Sequence, residues 1–117
     1  MIDRLTILEI KLEKIADEAK RANISREYAA LTAALSPEIS ASGDVPRLRS
    51  ELKAVNAELW RIEDDIRAQE RARTLGPEFI ALARAVYQTN DKRAELKREI
   101  NLRTQSDIME EKSYETY

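Results

Sequence analysis

Apolar residues recur along this chain in alternating steps of three and four, the spacing of one face of an α-helix. Leu5, Leu8, Leu12, Ile15, Ala19 and Ala22 predict a first helix over 2–22. A short extension over 25–35 carries Tyr28, Leu31 and Leu35, with Ser25 placed to cap its first turn. Ser36-Pro37 closes it, because the residue before a proline disfavours helical geometry. The segment SPEISASGDVP, 36–46, holds one Gly and two Pro and reads as the linker.

A second helix follows over 44–73. Leu48, Leu52, Val55, Leu59, Ile62 and Ile66 form a heptad seam of the kind that packs knobs into holes. Asp44 sits where an N-cap belongs, and Pro46 suits a first turn. TLGPE, 74–78, then stops this helix and starts a third over 77–104, whose seam is Phe79, Leu82, Val86, Thr89, Arg93, Leu96 and Ile100. So short a connection predicts an antiparallel hairpin in which facing residues have numbers summing to roughly 150. Leu52 then meets Ile100, and Arg93 lands near Leu59. The tail, 105–117, has few apolar anchors and reads as flexible. The fold class is all-α: a long, coiled-coil-like antiparallel hairpin with an N-terminal helix, closing into a bundle on oligomerisation.

Two central members of the third seam, Thr89 and Arg93, are polar where Leu or Ile would pack. The expected register brings them, with Asn90 and Tyr87, beside Glu58, Trp60 and Glu63. Arg93 could then pair with Glu63 or Glu58, since a guanidinium meets a carboxylate through two parallel hydrogen bonds. One reading is registry, in which a polar seam position costs stability but forbids slipped alignments. The other is a shallow polar pocket for a ligand or a partner's peptide, built from Glu58, Trp60, Glu63, Tyr87, Thr89, Asn90 and Arg93. A helix break at Asn90 has neither Gly nor Pro to support it.

The first helix is apolar on two sides. Leu5, Leu8, Leu12 and Ile15 share one face, whereas Ile7 and Ile10 point almost oppositely. A helix with one buried side shows a single stripe, so this one is either central or part of an interface between subunits. With only three helices available to cover it, Ile7 and Ile10 become candidate interface residues of a homo-oligomer, most simply a two-fold dimer.

Composition narrows the chemistry. The sequence has no Cys and no His, which removes thiol nucleophiles, disulfides and the commonest general base and metal ligand. The acidic run Glu63-Asp64-Asp65 and the column Asp91, Glu95, Glu99 are laced with Arg and Lys, as a solvated helix face is. No catalytic, cofactor-binding or metal-binding residue is assigned. At a net charge of −2 with charged residues at 36%, no basic stripe for nucleic acid is present. Charges from position 3 onward exclude a signal peptide, and no apolar run is long enough to span a membrane. A cytoplasmic location is therefore expected.

The blocks IDRLTILEIKLEKI, ELKAVNAELWRIEDDIR, GPEFIALARAVYQTNDKRAELKREIN and EEKSY, in this order, resemble an uncharacterised bacterial family of short all-helical proteins. Members often begin earlier, with a short apolar segment, so an N-terminal piece is read as missing, trimmed or never present here. The resemblance implies no activity. The expected function is a non-enzymatic helical interaction or scaffold module that partners itself and, beyond that, another protein. The alternative is a phosphate- or sugar-binding, or metal-dependent, site at the junction of 60–64 with 87–93.

Overall fold

A computed structural model describes residues 1–116, with side chains through Thr104. It is built from helices α1 (Ile2–Lys14), α2 (Glu18–Ala34), α3 (Pro37–Ser40), α4 (Val45–Ala72) and α5 (Pro77–Thr116). Among the described residues there is no strand. The expected flexibility of 105–117 concerns residues whose side chains lie outside the described ones.

The first helix ends earlier than its apolar spacing predicts. Ile15 turns extended, and Asp17 becomes the N-cap of α2, its carboxylate accepting from the Lys20 amide at 3.1 Å. Arg21 reaches back to the carbonyls of Leu12 and Ile15. Its cation thus satisfies the acceptors left over at the end of α1. Ser25, expected to cap, lies within α2. The break lets α2 fold back antiparallel on α1, where Arg4 donates two bonds to the Glu27 carboxylate at 2.8 and 3.0 Å.

Helices α4 and α5 form the expected antiparallel hairpin. Its reversal places Arg73 in the left-handed region, at φ 58°, and its amide bonds the Gln69 and Glu70 carbonyls. Cross-hairpin bonds link Gln69 with Glu78, Asn56 with Arg93, and Asp44 with Arg103, close to the anticipated register. Asp44 stands at the N-cap position of α4 but makes no side-chain cap bond. It pairs instead with Arg47 and Arg103.

The core lies where α1 crosses the open end of this hairpin. Ile2, Val45, Leu48, Leu52 and Ile100 pack together, with Leu35 and Leu96 against them. Helix α1 buries Ile2, Leu5, Thr6, Leu8 and Ile10, which spans about 200° of its circumference at 100° per residue. It is wedged between α2 and α4, so both of its apolar sides are covered within one chain. Ile10, expected at an interface, is 1% exposed and is already covered within one chain, whereas Ile7 is half-buried.

Beyond Ile62 on α4, and before Thr89 on α5, no described side chain is buried. The last ten residues of α4 therefore run on as a two-helix arm for about 15 Å past the core.

Candidate functional site

The polar interruption of the α5 seam meets partners that its spacing did not suggest. On α4 the buried seam runs Leu48, Leu52, Asn56, Leu59, Ile62, with Asn56 taking the inward position expected of Val55. Asn56 is 7% exposed. Its Nδ2 donates to Asp3 Oδ1 at 3.0 Å and to Thr6 Oγ1 at 2.9 Å, while its Oδ1 accepts from Arg93 Nε at 2.9 Å. Arg93 Nη2 also donates to Asp3 Oδ2 at 2.6 Å. Lys97 Nζ lies 3.7 Å from the same oxygen. Thr6 in turn donates to the Asp3 carbonyl at 2.7 Å.

One cluster thus joins α1, α4 and α5, and its members satisfy one another. Among the described residues no buried side-chain nitrogen or oxygen lacks a partner, as low-dielectric surroundings demand. Burial by itself would raise the Asp3 carboxyl. The Asn56 bond and the Arg93 charge more than reverse this, holding it below the usual carboxylate range.

A parallel cluster ties α1 to α2 and α4. Arg49 donates to Glu9 Oε2 at 2.7 Å, Tyr28 donates to the same oxygen at 3.4 Å, and Lys53 bridges Glu9 and Glu13 at 3.3 and 2.9 Å. Burial raises Glu9, but Arg49 and Lys53 outweigh it and its carboxyl is also lowered.

Of the residues singled out from sequence, Trp60, Glu63, Asn90 and Arg93 line one cleft of 290 Å³. Ile7, Ile10, Asn56 and Leu59 complete its wall. Three others stand apart from it. Glu58 is exposed on α4, Tyr87 is 74% exposed on α5, and Thr89 is buried at 3%. The expected pairing of Arg93 with Glu58 or Glu63 is replaced by Asp3 and Asn56. Asp3 lies 90 residues from Arg93 in sequence, a distance no local pattern spans. Asn56 was accessible to inspection, since it stands four residues after Leu52 and three before Leu59.

Among the described residues no three acidic side chains converge as a metal site would require. Asp65 pairs with Arg61 at 3.4 Å, and Asp64 with Arg67. Nor does any described helix have the length and apolarity to cross a membrane.

A family model described as a family of unknown function (DUF6165) matches residues 1–117. The chain belongs to that family. No curated protein and no solved structure matches the chain.

Removing one member of the Asp3–Asn56–Arg93 cluster strands the others. Arg93→Leu should cost about 2 kcal/mol in denaturant unfolding, less than a fully buried pair because Arg93 retains some exposure. Replacing Asp3, Asn56 and Arg93 together by Leu should recover that loss, since an apolar triad of similar volume removes every stranded group. If the single change proved harmless, the cluster would not be the pin described here.

Both lowered carboxyls also fix the sign of the acid response. A depressed folded-state pKa contributes stability that is fully present above the unfolded value and is lost as pH falls through the folded one. Stability should therefore fall below about pH 4, and Asp3→Asn should flatten that fall in urea titrations at stepped pH.

Proposed function

We propose that this protein is a non-enzymatic helical interaction module that associates with itself. One observation carries the reading. Its polar groups at the helix crossing are consumed by one another, whereas among the described residues the large exposed apolar side chains other than Met1 lie on α5 or the turn into it. These are Leu75, Ile80, Tyr87 and Leu102, between 55% and 74% exposed. Ile80, Tyr87 and Leu102 fall on one side of α5, which supports reading that side as an interaction face. The lack of His and Cys leaves few groups for acid-base or nucleophilic work at neutral pH. A cytoplasmic setting accords with these features.

The 290 Å³ cleft favours a second reading, a small-molecule site. Trp60 offers an aromatic wall, and Glu63, Asn90 and Arg93 supply polar groups around it. A sugar or phosphate compound would use that combination. Against it, Arg93 is already held by Asp3 and Asn56.

Light scattering coupled to size exclusion, at two concentrations tenfold apart, tests the first reading. The mass should exceed the 13.4 kDa of one chain and rise with concentration. A mass fixed at one chain would remove self-association. The second reading has its own reporter, because Trp60 is the only Trp. Its emission should change on titration with inorganic phosphate or simple sugars if the cleft binds them, and stay constant if it does not.

A further inference from the structure

Helix α5 carries two stripes on opposite sides. The inner one ends at Thr89, Arg93, Leu96 and Ile100 and meets α4. The outer one runs Ile80, Arg84, Tyr87, Asp91, Ala94, Arg98 and Leu102, and all seven are exposed. Among the described residues neither Asp91 nor Arg98 makes an ion pair, although many surface carboxylates and guanidinium groups of the chain do.

We propose that this outer stripe docks antiparallel on the same stripe of a second copy, centred between Ala94 and Glu95. This deepens the self-association reading above and rests on it. Charge selects the direction. A parallel pair would set Asp91 on the partner's Asp91 and Arg98 on the partner's Arg98, placing like charges in contact. The antiparallel pair sets Asp91 opposite the partner's Arg98, and two-fold symmetry makes that contact twice.

Apolar matching selects the register. The same centre lays Tyr87 on the partner's Leu102, again twice, and leaves the small Ala94 near the crossing, where it lets the helices approach. Sliding one heptad toward the start of α5 would pair Arg84 with the partner's Asp91. However, Tyr87 would then face the partner's Gln88, and Leu102 would face the partner's Arg73, outside the helix. Charge and apolar contacts agree in one alignment.

The paired length from Tyr87 to Leu102 is about 23 Å of helix. Such a contact falls at the small end of protein interfaces, so association is weak and depends on concentration. None of the outer side chains is needed for the core, and substitutions there leave folding intact.

The natural chain has no Cys, which makes cross-linking clean. Tyr87→Cys and Leu102→Cys chains should form a disulfide-linked pair when mixed under mild oxidation, and each should link poorly with itself. In sedimentation, Asp91→Arg should weaken the dimer roughly tenfold by replacing two attractions with two repulsions. Adding Arg98→Asp to the same chain should restore it. Efficient self-linking of Tyr87→Cys, or a dimer indifferent to Asp91→Arg, would overturn this register while leaving self-association intact. A native chain that stays monomeric at every concentration would instead remove the reading on which the register rests.

Discussion

The carboxylate of Asp3 is the point on which the arrangement of this protein turns. It sits at the start of α1, yet its two oxygens take hydrogen bonds from the middle of α4 and from α5. A half-buried carboxylate is costly unless charge and donors surround it. Only one placement of α1 across the hairpin offers Asn56, Arg93 and Lys97 together. A slide of one helical turn would strand Asp3 against apolar side chains and leave Arg93 facing the Asn56 amide alone. The apolar core around Leu52 supplies the bulk of the stabilisation, but Leu and Ile pack acceptably in several alignments. The polar cluster distinguishes among them.

With α1 fixed, the other elements follow. Helix α2 returns along the far side of α1 because Asp17 starts it and Arg21 closes the end of its predecessor. The Glu9–Arg49–Lys53 cluster then locks that side to α4. A helix buried over more than half its circumference thus becomes the centre of a single chain. Its two apolar sides answer to α2 on one flank and to the hairpin on the other.

The sequence was most informative where structure is local or strictly periodic. The hairpin, its reversal near Leu75 and its approximate register were all legible, because heptads on α4 and α5 constrain one another. So was the special status of Arg93 as a polar residue on an apolar seam. Its partners were not legible, because Asp3 is remote in sequence and reads alone as an ordinary first-turn acid. The break at Ile15–Asp17 was also obscured. Neither Gly nor Pro marks it, and the apolar spacing runs straight through. Ile7 and Ile10 were correctly seen as a second apolar side, but the hairpin covers that side, while α2, whose weak amphipathicity hid its part in the packing, takes the other flank.

The uneven placement of buried residues along the hairpin has a consequence for local stability. Near Leu52 three helices share the cost of any separation, whereas from Ile66 to the turn only two helices meet, over half-buried side chains. The free energy needed to part the helices therefore falls along the arm. Its tip can fray and re-form while the crossing of α1 stays closed. Local melting at the turn and loss of the fold are then separate events in one continuous pair of helices.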